Sequence, residues 1–417
     1  MKIRIPYSSS TINIEIPREN MIELLKPKYL KVESESKLLK AAVKNPVNFE
    51  HLSSFLEERE KVTMIINDHE RPTPTAKILK SIYPYLKSRE ITILVASGAH
   101  RPPTELELNN ILGEFYNSLR KHIKIHNCRE KSNLTFIGTT SYDTDVYVNN
   151  LILQSDGIIV TGSVEPHYFA GFTGGRKFLI PGVAGYETIE HNHMYALDEK
   201  AQLLSLDGNP VHEDMMDALE LLSRFNDIFT IMTVLDAERR ICFSCSGHVK
   251  DAFELSVKAS IKVHCIELEE KADIVIAVAR PPLDISLYQA HKAVEHAKMA
   301  LKKGGILILV AECREGIGPR NFYDLLSSSN SPQEVFEKVK DNYRLGYHKA
   351  ARLANLLSWA ELWAYTSMNQ DLLRKIFIKP CSNLQKAVSE ALKEKGRDAK
   401  ILIIDDAALL VPTIKNK

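Results

Sequence analysis

Short runs rich in Ile, Val and Leu alternate along this chain with longer stretches of helical periodicity. The strand-like runs are VTMIIN, ITILVAS, LILQSDGIIVTG, ADIVIAVAR, GGILILVAE and KILIID. Between them lie helical patterns such as TAKILKSIYPYLKS and AHKAVEHAKMALKKG. That rhythm predicts an α/β fold with mostly parallel sheets flanked by helices. With 417 residues, two or three domains are expected. We place the boundary near 268, giving an N-terminal domain over 1–268 and a C-terminal α/β domain over 269–417 whose last residues can pack back on the first. The stretch DAFELSVKASIKVHCIELEE reads as a helix connecting the halves, and MKIRIPYSSSTINIEIP alternates like a hairpin. Ligand sites favour interdomain clefts, so the active site is expected in the cleft between the two domains.

Three of the strand-like runs end in polar clusters. VTMII leads into Asn67-Asp68-His69-Glu70-Arg71-Pro72-Thr73-Pro74, where the prolines stop the strand and a helix can follow. ITILVASGAHRP delivers His100 and Arg101, and LILQSDGIIVTGSVEPH delivers Glu165 and His167. Ligands of open α/β sheets bind beyond the carboxyl ends of the strands. One such cluster reads equally as a surface loop; three of similar chemistry at equivalent strand ends point to a site.

The densest run is EPHYFAGFTGGRKFLIPGVAGYETIEHNH, from Glu165 to His193. Gly171, Gly174 and Gly175 permit a tight backbone that can aim N–H groups at an anion. Lys177 follows at once, and His167, His191 and His193 surround the loop. Histidine supplies proton transfer near neutral pH or a nitrogen ligand for a borderline metal. The run reads as an active-site segment for a phosphorylated or anionic cofactor, with or without a metal. It is not a Walker A loop, because Arg176 precedes Lys177 and Phe178 follows it.

These three clusters resemble those of the nickel-dependent lactate racemase family, and the likeness runs to ILIIDDAALLVP near the end of the chain. The resemblance implies a 2-hydroxy acid racemase or epimerase that works by reversible hydride transfer with a nickel-pincer nucleotide. This cofactor is a pyridinium mononucleotide with two thio-acyl arms. By the same resemblance Lys177 attaches the cofactor covalently and His193 binds nickel. His100 and His167 are the acid–base pair. Asp68 and Arg71 line the cofactor and substrate, with Gly174 and Gly175 in the cofactor loop. Tyr288, Gln289 and Lys292 match a Tyr-Gln-x-x-Lys motif of the second domain. Arg71 and Lys292 then hold the substrate carboxylate. The first domain is accordingly the catalytic and cofactor-binding one. Implied partners are a small 2-hydroxy acid and the proteins that make the cofactor.

The residue types suit that chemistry. Removing the α-proton of a carboxylate would create a dianion, whereas hydride transfer to an electron-poor cofactor avoids it. The hydroxyl must lose a proton as the hydride leaves, and either hand of substrate must be served, which calls for two histidines. Substrate choice stays open between lactate-like acids and larger ones such as malate or a sugar acid. His348 or Lys349 would meet the second polar end of a larger acid. His69 and His191 each neighbour a residue with a family role and read as supporting groups or as surface ones. Trp359 and Trp363 read as core. Two other classes of function compete: a zinc-type hydrolase with His191 and His193 as ligands, and a non-catalytic protein that captures a phosphorylated ligand.

Composition adds exclusions. The net charge is +1, and no basic block is interleaved with aromatics, so nucleic acid is not an expected partner. No apolar run approaches a membrane span and the amino terminus lacks a signal-peptide core, so a cytoplasmic protein without membrane contact is predicted. The six cysteines are scattered, and only Cys242 and Cys245 are close; they read as reduced structural residues.

Overall fold

The computed structural model describes residues 1–28, 30, 32 and 34–415. It divides into two compact units, one of residues 29–263 and one of residues 1–28 with 264–417. The chain opens with an antiparallel hairpin, β1 (Lys2–Tyr7) and β2 (Ser10–Glu15), followed by β3 (Met21–Leu25). Here the structure departs from a single cut near 268. β3 pairs in parallel with a late strand of the chain, and Ile3, Ile5, Ile14 and Ile16 of the hairpin join the hydrophobic core of that unit. The first 28 residues therefore belong with the carboxyl-terminal half.

The unit of residues 29–263 is built on a six-stranded sheet. Its strands are β4 (Lys61–Asn67), β5 (Glu90–Ala96), β6 (Ile123–Ile125), β9 (Gly157–Ser163), β12 (Ile228–Leu235) and β13 (Ile241–Gly247). Between them, β7 (Leu134–Thr139) pairs with β8 (Asp145–Asn149), and β10 (Pro166–His167) with β11 (Gly171–Phe172). The sheet order is β13-β12-β9-β4-β5-β6, and only β13 runs antiparallel. β4 and β9 are buried almost throughout, as strands covered on both faces must be. Met64 and Ile66 of β4 meet Ile78, Leu79 and Ile82 of the helix Thr75–Leu86 in one core. From β4 the chain builds outward through β5 and β6, then returns to place β9 and β12 on the other side. The reversal makes the carboxyl ends of β4 and β9 the topological switch point, where ligands of such sheets bind.

The other unit carries an all-parallel sheet. Its strands are β15 (Ala272–Val278), β16 (Leu301–Val310), β17 (Glu361–Tyr365), β18 (Lys379–Cys381) and β19 (Ile401–Ile404), in the order β18-β17-β16-β15-β19-β3. Trp363 is wholly buried in its core, and Trp359 is half-buried.

Two local readings change. LILQ is not strand: Asn150–Leu153 form a helical turn, capped by the Asn149 side chain, which accepts the Leu151 N–H at 3.1 Å. The connecting helix ends at His264, and Cys265–Leu268 form β14, paired in parallel with β20 (Val411–Ile414). Among the described residues no helix is long and apolar enough to cross a membrane.

Candidate active site

The polar ends of β4, β5 and β9 come together because those strands are neighbours. The Thr73 hydroxyl donates to Asn67 Oδ1 at 2.7 Å and lies 3.0 Å from the Ser163 hydroxyl, tying the end of β4 to that of β9. The ASGAH turn after β5 is pinned to the central run, since Gly98 N–H donates to Gly182 C=O at 3.0 Å.

Asp68 is buried, and its Oδ2 lies 2.7 Å from Nδ1 of the exposed His100. Burial alone would raise the carboxyl pKa. The hydrogen bond with His100 and the charges of His100, Arg71 and His69 outweigh it and hold the group below its ordinary value. Asp68 is thus an anion that orients His100, a contact the sequence reading, which put it beside the cofactor, did not foresee. Arg71 is half-buried on the same turn, where its N–H donates to Asp68 C=O at 3.3 Å. His69 Nε2 lies 3.9 Å from Glu107.

The central run folds around Phe169, which is buried. The His167 ring meets it edge-on at 4.5 Å and the His193 ring at 5.2 Å, and the Lys177 Nζ lies 5.5 Å from its centroid. The helix Tyr186–Met194 carries His193, and buried Asn192 beside it donates to Asp214 at 2.7 Å and Val211 C=O at 3.2 Å. Burial and the nearby Lys177 and His100 charges push the His193 pKa down to about 3, leaving a neutral imidazole. Burial, with Arg176 and Arg71 adding repulsion, pushes the Lys177 ammonium well below its ordinary pKa. Burial thus favours the uncharged form of both groups, the form in which an imidazole can donate a lone pair and an amine can attack.

The double glycine has a steric reason. Gly174 and Gly175 have φ of +79° and +51°. A Cβ on Gly174 would meet Val164 at 2.6 Å, and one on Gly175 would meet Phe253 at 2.7 Å. Their missing side chains face protein, so they serve this loop by backbone conformation and packing. Arg176 is fully buried. Its guanidinium donates to Phe172 C=O at 3.1 Å, to Gly174 C=O at 3.4 Å and to Ala170 C=O, and lies over the Phe253 ring at 4.5 Å. The loop is stitched from within by this one side chain.

His191 does not share a site with His193. Two residues apart on a helix, they point about 200° from each other. His191 stacks on Tyr195 at 5.6 Å while His193 faces Phe169. That geometry removes the zinc-hydrolase reading. Among the described residues, no group of three or more His, Cys, Asp or Glu is placed to hold a metal. All six cysteines are free thiols.

Tyr288, Gln289 and Lys292 lie in the other unit, on the helix Leu287–Ala297, where the Ser286 hydroxyl accepts the Gln289 N–H at 3.3 Å. Lys349 donates to Tyr288 C=O at 2.8 Å and lies over its ring at 3.6 Å. His348 is buried, with Nδ1 2.9 Å from the Tyr343 hydroxyl. Phe169 and the Asp68–His100 pairing are the features that sequence reasoning missed. Phe169 sits in an aromatic triplet with nothing local to mark it, and Asp68 and His100 are distant in sequence.

Comparison with known proteins gives the family. The lactate racemase N-terminal domain model matches residues 7–204, and the lactate racemase C-terminal domain model matches 268–411. A lactate racemase of Thermoanaerobacterium thermosaccharolyticum is 29% identical over 98% of both chains. One of Lactiplantibacillus plantarum is 30% identical over 97% of this chain and 98% of its own. The solved lactate racemase apoprotein of T. thermosaccharolyticum superposes with a TM-score of 0.91 over all of both chains, at 29% identity. A Thermotoga maritima protein shares the fold at a TM-score of 0.70 and 19% identity, covering 93% of this chain and 100% of its own. The chain belongs to the lactate racemase family.

Proposed function

We propose that this protein is an isomerase that racemises or epimerises a 2-hydroxy acid, using a nickel-pincer nucleotide attached through Lys177. One observation carries the reading: a suppressed lysine ammonium and a neutral, buried histidine flank the same Phe169 ring. A covalently held cofactor that brings most of the metal's ligands needs one amine and one nitrogen donor from the protein, and those two groups fit it. When bound, the cofactor supplies an electron-poor ring carbon that takes a hydride and returns it. Lys177 is the attachment point and His193 the protein's nickel ligand. Asp68, Gly174 and Gly175 border the cofactor.

Arg71 holds the substrate carboxylate, being able to pair with it in a bidentate way. His100 and His167 handle the hydroxyl proton. Lys349 and His348 are already engaged by Tyr288 and Tyr343. That favours a short, lactate-like acid over malate or a sugar acid, which would draw on them for a second polar end. Cofactor-synthesis proteins are the implied partners. The free thiols suit a reducing, cytoplasmic setting.

The test is to incubate the cofactor-loaded protein with single enantiomers of lactate, malate and sugar acids and to separate the products on a chiral column. The mirror-image lactate, or its 2-epimeric counterpart from a larger acid, is expected. No inversion of any acid by fully loaded protein would refute the reading.

A further inference from the structure

The two histidines proposed to handle the substrate proton are held in different ways. Nδ1 of His100 faces the Asp68 carboxylate at 2.7 Å. An ionised carboxylate only accepts, so the ring proton of neutral His100 sits on Nδ1 and Nε2 carries the lone pair. Nδ1 of His167 instead accepts the backbone N–H of Ala170 at 3.3 Å. A backbone N–H only donates, so in neutral His167 the lone pair is on Nδ1 and the proton on Nε2.

The donor to His167 is well fixed. The peptide that bears the Ala170 N–H has Phe169 C=O at its other end, and that oxygen accepts from buried Asn209 at 2.9 Å. The next carbonyl, Ala170 C=O, accepts from the buried Arg176 guanidinium and from Phe172 N–H at 2.9 Å. The His167 ring is stacked on Tyr168 at 4.9 Å and set edge-on to Phe169. Around the other pair, Asp68 is also faced by His69, Arg71 and Arg101, His193 stands near His100, and Glu70 follows on the same turn, its backbone N–H donating to Asp68 Oδ1 at 3.2 Å. Asp68 is the carboxylate bonded to His100 Nδ1.

We infer that His100 and His167 rest in opposite tautomers, His100 with an open Nε2 that accepts a proton and His167 with an Nε2–H that donates a hydrogen bond. The inference rests on the racemase reading only for its catalytic consequence. A hydroxyl facing His100 passes its proton to Nε2, and the resulting imidazolium keeps its Nδ1–H on Asp68. A hydroxyl facing His167 meets an N–H. It can give up its proton there only after the ring has moved its own proton to Nδ1, at the cost of the Ala170 hydrogen bond. Asp68 is then a positioning residue that acts through His100, and Ala170 its counterpart for His167. Over a full turnover one ring takes the proton of the incoming hydroxyl and the other returns one to the new hydroxyl, so the donating ring enters protonated on both nitrogens. When that ring is His167, its second proton comes from solvent at the cost of the Ala170 hydrogen bond. The accepting ring afterwards releases its proton to solvent.

The full-length chain, labelled with ¹⁵N-histidine and free of cofactor, tests the tautomers at a pH where both rings are neutral. Two-bond ¹H–¹⁵N correlation separates protonated from bare ring nitrogens. His100→Gln and His167→Gln each delete one pattern and so assign both. Should either fail to fold, Asp68→Asn assigns His100 by shifting its signals. The expected result is Nδ1–H for His100 and Nε2–H for His167; the same tautomer on both rings, or the reverse assignment, overturns the inference.

In the loaded enzyme kcat should differ between the two enantiomers by about tenfold, the worth of one hydrogen bond. Their kcat/KM values must match, because mirror images are equal in free energy. Equal kcat values would overturn the catalytic half. Failure to racemise any acid would sink the functional reading and leave the tautomer result standing.

Discussion

At the scale of single residues, the site depends on keeping charge away from two nitrogens. Lys177 lies against Phe169, and Arg176 and Arg71 repel a proton from it. The first prediction follows: a protein made together with the cofactor-synthesis machinery carries a covalent adduct on Lys177, seen as added intact mass, and Lys177→Ala does not. A fully active protein at its unmodified sequence mass would contradict it. The second concerns His193. His193→Ala should lower nickel retention and remove most activity while leaving the circular dichroism spectrum and Tm near the parent's. Undiminished nickel content in that variant would remove His193 from the metal. Arg176→Lys is not conservative here, because one ammonium cannot span the carbonyls of residues 170, 172 and 174 as the planar fork does.

At the scale of elements, the amino-terminal hairpin and β3 stand out. Ile5 and Ile14 are buried in the core of the unit that begins again at residue 264. Ile5→Ala should cost about 2–5 kcal/mol, the range for truncating a buried aliphatic side chain. Denaturant unfolding read through Trp363 in the same core would measure it. A fragment of 264–417 without residues 1–28 is expected not to fold, as β19 would lose β3, one of its two neighbours, and the core its four hairpin isoleucines.

The strand–helix rhythm made the sheets legible from sequence, because buried parallel strands are nearly continuous apolar runs. The membership of β3 was not legible. Strand pairing depends on partners hundreds of residues away, and MIELL carries no mark of which sheet it joins. The clusters at the ends of β4, β5 and β9 were legible for the same reason as the strands, each being the polar terminus of an apolar run. The pairing of Asp68 with His100 needed the sheet order, since only the adjacency of β4 and β5 brings those turns together. The single turn Asn150–Leu153 was hidden inside an apolar run, where periodicity cannot separate one helical turn from strand.

At the scale of the whole molecule, several buried histidines make the fold sensitive to acid. His126 accepts an amide N–H from Asn149 on Nδ1 at 3.1 Å and faces Ala184 C=O through Nε2 at 2.9 Å, an arrangement that suits only the neutral ring. Burial pushes its pKa down to about 4 and those of His212 and His291 to about 3. In the unfolded chain a histidine titrates near 6.5. Between those values the unfolded state binds protons that the folded state refuses. Stability is therefore full above about pH 6.5 and falls as the pH drops toward the folded values, by up to roughly 1.4 kcal/mol per pH unit for each such histidine. Tm measured from pH 7.5 to 4 should decline steadily, and less steeply in His126→Gln if that variant folds. A flat profile would mean that these rings are not buried in neutral form.

Inversion of a 2-hydroxy acid by a hydride that leaves and returns can be followed with one labelled substrate. Cofactor-loaded protein is given a single enantiomer of lactate carrying deuterium at carbon 2, in ordinary water, and the opposite enantiomer is isolated and weighed by mass spectrometry. The prediction is inverted lactate that keeps most of its deuterium. Inverted lactate in which solvent hydrogen has replaced the label would rule out hydride return and point to proton abstraction at carbon 2.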